Sequence, residues 1–385
     1  MVKVPSQPAR FDLGFLRSRS ARTSMIVIGI VLAYALPLLR PPIITTPDSD
    51  FGGVMTEAAS YALVAVGLNI VIGYAGLLDL GYVGFYATGA YTTGVLTSEH
   101  FHWPFFLALP LAIGVTMVTG VILGAPTLRV RGDYLAIVTL GFGEIIRISI
   151  LNLNWLGASA GIKDIPSPPS IGPNPVGATG DGLFQIPHIA WNGLVPLIDT
   201  QHTTPFLVFD VLDAIPYYWL LLTVLLIVIL ADYKIKDSRV GRAWEATRED
   251  EDAAELMGVP TFKYKLLAFA LGAAIGGLAG SFLASGQGGY INPNSFLLLY
   301  SMLFVAAVII GGAGNRWGAV FGGFLVAYLP ERFRTLSDWR LLIFGLCLIL
   351  IVNVRPQGLL PPRRTRRALA ARAEIQELEG EAVDV

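Results

Sequence analysis

Residues 264–285 read YKLLAFALGAAIGGLAGSFLAS, and from Leu266 onward this stretch carries no charged residue. An α-helix needs about 20 apolar residues to cross the hydrocarbon core of a bilayer, so the stretch predicts a membrane-spanning helix. Glycines recur at every fourth position, at Gly272, Gly276 and Gly280. Small residues at this spacing form a ridge that another helix can approach closely. We interpret the three glycines as helix-packing positions.

Similar apolar stretches fill most of the chain. Hydrophobic residues make up 54% of its 385 positions and charged residues only 14%, and the mean hydropathy is +0.62. Soluble domains carry about 25% charged residues, so this composition excludes an ordinary cytosolic enzyme. We predict an all-α polytopic membrane protein with about ten transmembrane helices. The predicted spans are residues 24–39, 54–75, 80–97, 104–125, 134–152, 217–231, 264–285, 297–313, 317–330 and 339–353.

The distribution of Lys and Arg predicts the orientation of the chain, because cytoplasmic loops of membrane proteins carry an excess of these residues. Residues 1–23 contain five of them, whereas residues 153–216 contain only Lys163. We therefore place both termini in the cytoplasm and segment 153–216 outside. The loop 331–340 is predicted to lie outside, yet it contains three Arg residues. Either this loop breaks the rule or one of its neighbouring spans is re-entrant.

These assignments divide the chain into a cytoplasmic N-terminal segment (1–23), a transmembrane domain (24–353) and a cytoplasmic tail (354–385). The first span lacks a signal-peptidase site, which favours a signal anchor. Segment 153–216 is either a cap or partner contact, or a passive connector. In the tail, Arg363 to Arg367 favour contact with anionic lipid headgroups. The acidic end beyond them predicts disorder.

The 27 basic and 28 acidic residues nearly cancel and indicate no nucleic-acid partner.

Segment 232–263 is the second long connection, and we place it in the cytoplasm. Residues 239–258 favour helix by propensity, and Gly258 followed by Val-Pro is a stop signal. The pattern predicts one short amphipathic helix held between two spans. A charge run more often marks a solvated connector. That alternative is weakened here by Trp244, Leu256 and Met257, which would need apolar neighbours.

Few polar or ionisable residues interrupt the spans, and such residues are candidates for a translocation path. The glycine-rich run 73–82 is either a broken or re-entrant turn that lines the path, or a cytoplasmic hairpin. Glu144 and Arg147 lie three residues apart on one helical face and either serve function or simply neutralise each other. A weak likeness between residues 72–76 and 310–314 hints at an internal repeat. The path candidates are Asn69, Gly76, Asp79, Tyr82, Glu144 and Arg147.

Motifs for chemistry are missing from the sequence. It contains no G-x-x-x-x-G-K-[ST] phosphate loop and no H-E-x-x-H zinc motif. The lone Cys347 excludes a disulfide framework. We therefore expect no catalytic residue, no metal site and no cofactor in this chain. If the protein drives transport, the energy comes from another subunit, and the helix at 239–258 is where we expect it to be received.

Four stretches resemble permeases of branched-chain amino acid ABC transporters of the LivM type. They are GLLDLGYVGFYATGAY at 76–91, LRVRGDYLAIVTLGFGEIIR at 128–147, GRAWEATREDE at 241–251 and RPQGLL at 355–360. The motifs occur in order and span roughly residues 55–360. One departure lies at 156–162, where LGASAGI stands in place of the family's usual T-G-G-x-x-G-I.

The resemblance implies a bacterial cytoplasmic-membrane importer for leucine, isoleucine and valine. Its implied partners are a second related permease, two cytoplasmic ATPase subunits that bind ATP and magnesium, and an extracytoplasmic binding protein. The departure at 156–162 leaves urea, amides or other amino acids open as cargo. An ion-coupled carrier that uses Glu144, and a scaffold or membrane enzyme, are the remaining alternatives. The implied ATPase-coupling positions are Glu245, Ala246, Glu249, Asp250 and Gly258, to which the helix pattern adds Arg242 and Trp244.

Overall fold

The structure is a computed structural model. It describes residues 19–41, 44–45, 50–128, 133–170, 185–192, 195–205, 208–209, 213–286, 288–332, 339–355 and 357–362. Most of the predicted cytoplasmic N-terminal segment, the charged tail from residue 363, and residues 333–338 of the loop 331–340 lie outside the described residues. The predictions made for them are therefore not tested.

Helices form most of the described chain. The apolar helices are α1 (Arg19–Leu39), α2 (Phe51–Leu68), α3 (Tyr82–Thr97), α4 (Phe105–Thr127), α5 (Asp133–Asn152), α6 (Ile215–Lys236), α9 (Thr261–Ala284), α10 (Leu298–Gly311), α11 (Arg316–Arg332) and α12 (Arg340–Val354). Between α6 and α9 lie two short helices, α7 (Arg239–Glu249) and α8 (Glu251–Leu256). Each of the ten predicted spans coincides with one of the apolar helices, so the polytopic helical class is confirmed.

Six helical stretches among the described residues are long and apolar enough to cross a membrane. They are Phe51–Tyr74, Phe105–Thr127, Tyr134–Asn152, Ile215–Lys236, Thr261–Ala284 and Pro293–Gly311. The helices α3, α11 and α12 have 16, 17 and 15 residues, which is below the usual length of a span. Ten membrane crossings and the orientation of the termini therefore remain predictions.

The chain divides into two compact units. One comprises residues 1–45 and 187–203, and it contains α1 and most of a two-stranded sheet. The strands of this sheet are β1 (Gln185–Asn192) and β2 (Val195–Pro205). The other unit comprises residues 46–186 and 204–385 and contains the helices α2 to α12. The sheet lies in segment 153–216, which the sequence predicted only as a long external loop, because its many prolines and glycines conceal the strand pattern.

Two helix breaks differ from the predicted elements. Helix α2 continues as a π-helix over Asn69–Tyr74, and the chain is then irregular until α3 begins at Tyr82. The single helix predicted over 239–258 is wrong. Asp250 adopts an extended conformation (φ −157°, ψ 111°) and its side chain caps α8 by accepting from the Ala253 amide at 3.0 Å. A capping Asp favours a new helix start over helix continuation.

Close helix contacts build the core of the larger unit. Helix α9 packs against α3 and α4, and glycines allow the backbones to approach. A Cβ atom on Gly89 of α3 would lie 2.2 Å from the Gly277 carbonyl oxygen. The three predicted packing glycines all face neighbours, with Gly272 against Val71, Gly276 against the Tyr82 ring and Gly280 against the backbone of α3.

Candidate functional site

The ends of α2, α6 and α11 meet α7 in one polar cluster, which we call the helix-end junction. Its members lie at the end that the sequence predicts to be cytoplasmic. They are Gly73, Tyr74, Asp232, Lys236, Trp244, Arg248, Gly314 and Arg316. Four of them carry a charge, and all the charged groups contact either one another, a carbonyl oxygen or an aromatic ring. The junction therefore joins the short helices 239–256 to the spanning helices through specific bonds.

Trp244 anchors α7 in this junction. Its side chain is fully buried, and its indole Nε1 donates a hydrogen bond to the Tyr264 carbonyl at 2.7 Å. The indole also stacks on Tyr74, with ring centroids 6.4 Å apart and an interplanar angle of 16°. A buried Trp contributes a large apolar area and usually needs a partner for its N–H group. Trp244 thus connects α7 to both α2 and α9.

Two cations hold the glycine-rich helix ends together. Arg248 Nη1 donates to the Gly73 carbonyl, and Lys236 Nζ donates to the Gly314 carbonyl at 2.7 Å. The Gly314 amide donates in turn to Asn69 Oδ1 at 2.8 Å. A Cβ atom on Gly73 would lie 2.5 Å from the Gly314 amide nitrogen, so the two segments whose sequences are alike, 72–76 and 310–314, are in direct contact. Cations near helix C-termini compensate the exposed carbonyl groups there.

A buried acid completes the junction. Asp232 near the end of α6 accepts a hydrogen bond from the Tyr74 hydroxyl at 3.0 Å and lies 3.3 Å from Arg316 Nε. Lys236 Nζ stands 4.5 Å from the centre of the Tyr74 ring. Such a buried charge is stable only when paired and hydrogen-bonded. The sequence analysis missed Asp232 and Arg316, although a lone acid at the end of the apolar span 217–231 was a usable signal.

The predicted ATPase-coupling residues occupy different environments. Arg242, Glu249 and Asp250 are exposed, Glu245 and Ala246 are half-buried, and Trp244 is fully buried. Gly258 adopts a left-handed conformation (φ +83°) and ends the segment. Because Trp244 is inaccessible, it can act only by holding α7 in place. Asp250 has a structural task as well, since it caps α8.

An exposed apolar pair stands beside these residues. Leu256 is 89% exposed and Met257 is 85% exposed, and both lie at the end of α8 just before Gly258. The sequence analysis expected these two side chains, like that of Trp244, to need apolar neighbours. The described part of the chain leaves both of them uncovered. Met is common at adaptable binding surfaces, and two adjacent apolar side chains on a charged segment are unusual for a solvated connector.

Three of the four path candidates in and beside the irregular stretch between α2 and α3 are buried. Asn69, Asp79 and Tyr82 are fully buried, and Tyr82 donates its hydroxyl proton to the Gly272 carbonyl at 2.7 Å. Gly76 is exposed, has φ +72° and lies under the Arg248 stem. Among the described residues, no group hydrogen-bonds to Asn69 Nδ2 or to Asp79 Oδ2.

Leu80 shows how the backbone of the irregular stretch is hydrogen-bonded inside the helix bundle. Its amide donates to the Thr139 hydroxyl of α5 at 3.1 Å, and its carbonyl accepts from the Ser301 hydroxyl of α10 at 2.6 Å. The Gly81 amide is satisfied by Asp79 Oδ1 at 2.9 Å. Unpaired backbone groups are too costly for the hydrocarbon region, so irregular backbone there must be covered by protein. Protein covers the backbone of the stretch 79–81 in this way. A hairpin in solvent would not require such cover.

Glu144 and Arg147 form an ion pair on α5. Arg147 Nε lies 3.1 Å and 3.0 Å from the two carboxylate oxygens, and Nη2 lies 2.5 Å from Oε1. The Glu144 side chain is 38% exposed and that of Arg147 18% exposed. The pair does not meet Asn69, Asp79 or Tyr82, so the structure does not join the six path candidates into one site. Nor do the described residues include three or more His, Cys, Asp or Glu placed to hold a metal ion.

Comparison with known proteins places this arrangement in a family. Residues 51–352 match the family model described as the branched-chain amino acid transport system / permease component. The chain is 38% identical over 373 residues to the high-affinity branched-chain amino acid transport system permease protein LivM of Salmonella typhimurium, covering 96% of this chain and 82% of that protein. LivM of Escherichia coli K12 gives the same values.

A second type of permease is also similar. LivH of Escherichia coli K12 is 25% identical over 332 residues, which cover 80% of this chain and 94% of LivH. No solved structure matches the chain. The match to the family model, over residues 51–352, runs from the first residue of α2 into α12. It therefore includes the helix-end junction and the exposed pair. This chain is a multi-pass membrane protein that belongs to the family of permease components of branched-chain amino acid transport systems.

Proposed function

We propose that this chain is the LivM-type permease subunit of an ATP-driven importer for leucine, isoleucine and valine in a bacterial inner membrane. The 38% identity to LivM over 96% of the chain carries the proposal. The likeness to LivH supports pairing with a second, related permease. Two ATPase subunits that bind ATP and magnesium, and an extracytoplasmic binding protein, complete the proposed complex.

The proposed coupling mechanism runs through the helix-end junction. ATP binding closes the ATPase pair and moves the α7–α8 segment, on which the ATPase docks. Trp244 and Arg248 transmit this movement to Tyr74 and Gly73 at the end of α2. The π-helix there is the element that we propose yields, because π-helical turns inside α-helices are frequent at functional sites. A shift of α2 and of the irregular stretch 75–81 then changes which side of the membrane the pathway faces.

The proposed cargo is inferred from the named relatives. One local feature of the chain is also relevant to it. The departing motif at 156–162 is held against the segment after α9, since Ile162 and Ile291 form an antiparallel bridge. Gly157 and Gly161 both adopt left-handed conformations there (φ +81° and +71°). We propose that this turn faces the binding protein. Its sequence difference is the specific reason to test urea, amides and other amino acids as a second candidate cargo.

Reconstitution of the complete complex tests the function. In proteoliposomes that contain this chain, the second permease and the ATPases, with binding protein outside and ATP inside, we expect uptake of labelled leucine, isoleucine and valine. Unlabelled urea in excess should not compete. Uptake that persists without ATP and stops when an ionophore collapses the ion gradient would instead establish a secondary carrier. ATP-dependent uptake of urea, with no uptake of the three amino acids, would show that urea is the cargo.

The exposed pair at the end of α8 gives a sharp test of docking. We expect the double substitution of Leu256→Glu and Met257→Glu to reduce ATPase bound to the purified permease at least about tenfold, since two charges would face an apolar interface. Both side chains are exposed, so the permease itself should keep its thermal stability. Co-purification in detergent measures the effect.

The conservative variant Met257→Leu is the matched control, because it keeps an apolar side chain of similar volume. It should retain the ATPase at the native level. If the double Glu variant also binds the ATPase normally and still couples hydrolysis to uptake, the pair lies outside the docking surface.

A further inference from the structure

We propose that the exposed face of α5, which carries the Glu144–Arg147 ion pair, is the surface on which the second permease subunit packs. The inference rests on the proposed function in that it assumes a second permease in the complex. It adds which face of this chain that subunit covers, and it assigns the ion pair to that interface.

Helices α4 and α5 are equally peripheral in the fold. In the most apolar 18-residue window of each, only 28% of the residues are buried. Both therefore present a long face that the described residues leave uncovered, and a spanning helix must have lipid or protein against such a face. Their exposed faces can be compared directly, because the two helices have similar length and burial.

The exposed face of α4 has the composition expected for contact with lipid tails. Its exposed side chains are apolar apart from glycine and proline positions, and they include Leu111, Val118 and Ile122. No ionisable residue occurs anywhere in Phe105–Thr127. Lipid-facing positions of spanning helices are apolar because the hydrocarbon region offers polar groups no partner.

The exposed face of α5 differs in chemistry. Ile137, Ile145 and Ile148 are exposed, and on the same side stand the partly exposed Glu144 and the exposed Asn152. Glu144 is the twelfth residue of this 20-residue helix, about 17 Å from its start at 1.5 Å per residue. Eight residues, about 12 Å, separate it from the end of the helix. A carboxylate this far inside a spanning helix is costly to expose to lipid tails.

The geometry of the pair describes what covers it. The side chain of Glu144 is the more exposed member of the pair, at 38% against 18% for Arg147. Arg147 does not use all the acceptor positions of the carboxylate, which has about four. The covering surface therefore supplies hydrogen-bond donors or a positive charge in the middle of the membrane. A transmembrane helix of a second permease can supply such groups, and lipid tails cannot.

Photo-cross-linking in the intact complex tests the assignment. The photoreactive residue p-benzoylphenylalanine would replace Ile145 or Ile148 on α5, and Ile122 or Leu111 on α4 as controls. The pairs are matched in exposure, at 63% against 66% and at 46% against 44%. After irradiation of membranes, mass spectrometry identifies the protein in each adduct. We expect both α5 positions to form adducts with the second permease and the α4 positions to form none with protein.

The outcomes separate this inference from the proposed function. If the second permease does not co-purify with the chain, the proposed function fails. If it co-purifies but the α5 positions give no protein adduct, or an adduct with a second copy of this chain, the ATPase or the binding protein, the present inference is overturned. Adducts of the second permease at the α4 positions alone would overturn it as well.

Charge substitutions give an independent readout that does not rely on the probe. Glu144→Gln leaves Arg147 unpaired at the interface, and we expect at least about tenfold less second permease to co-purify. Glu144→Asp keeps a carboxylate opposite the donors of the covering surface and should recover most of the association. Equal loss in the Gln and Asp variants, with unchanged thermal stability of the isolated chain, would contradict a role for the pair in association.

Discussion

Gly280→Ala is expected to destabilise the protein by at least about 3 kcal/mol, which is the upper part of the range for overpacked cores. A Cβ atom at this position would stand 2.0 Å from the Tyr86 carbonyl oxygen of α3 and 3.0 Å from the Ala90 amide nitrogen. These obstacles are backbone atoms, so no side-chain rotation relieves the clash. Helices α3 and α9 must separate instead. Thermal unfolding of the purified chain in detergent measures the loss.

Two other glycines provide graded controls. A Cβ on Gly276 would meet side-chain atoms, the Tyr82 ring at 3.1 Å and the Phe85 Cβ at 3.3 Å, and no backbone within that distance, so Gly276→Ala should cost less than Gly280→Ala. A Cβ on Gly114 of α4 would have no atom within 4 Å, and the higher helix propensity of Ala makes Gly114→Ala neutral or slightly stabilising. If the three substitutions had equal effects, the proposed contact between α3 and α9 at Gly280 would be wrong.

Trp244→Ala is expected to cost about 3–5 kcal/mol locally, as is usual when a buried aromatic residue is truncated to Ala. The substitution removes the contact with Tyr74 and the hydrogen bond to the Tyr264 carbonyl, which together hold α7 in the helix-end junction. We expect transport to be lost even where the ATPase still binds, because movement of α7 no longer reaches α2. ATPase activity without uptake in proteoliposomes is the diagnostic result.

Further variants separate anchoring from general destabilisation. Trp244→Phe keeps an aromatic ring against Tyr74 but loses the donor to Tyr264, so it should retain part of the coupling. Trp339→Ala removes an indole of the same size from an exposed position, and it should change stability by less than about 1 kcal/mol. Coupled uptake in the Trp244→Ala variant would show that α7 acts without this anchor.

Much of the fold and part of the candidate site follow from local sequence patterns. Uncharged runs of about 20 residues are sufficient to predict spanning helices, because the bilayer imposes a length and excludes charge. The run 264–285 therefore predicted α9 within a few residues of its observed bounds. The charged segment between α6 and α9 likewise predicted helix. Its break did not follow, because at Asp250 the capping preference prevailed over the helix propensity of the residues around it.

The contacts between helices depend on information that no local pattern contains. Leu256 and Trp244 looked alike as apolar residues of one charged segment, yet Trp244 is buried against Tyr74 and Leu256 is exposed. The likeness of residues 72–76 to 310–314 suggested a repeat, but not that the two segments touch through Gly73 and Gly314. These pairs are far apart in sequence, so only the packing of the helices brings them together.

The sequence by itself determined that this chain is a helical membrane protein of the permease family without an ATP-binding motif of its own. Hydrophobicity and motif spacing are properties of the chain, so they need no fold to be read. The tertiary structure decided which of the predicted residues act together. It placed Trp244 as an anchor, distinguished Gly280 from Gly276, and left Glu144 and Arg147 on an outer face. Those outcomes depend on which side of each helix meets a neighbour, and that is set by packing over the whole bundle.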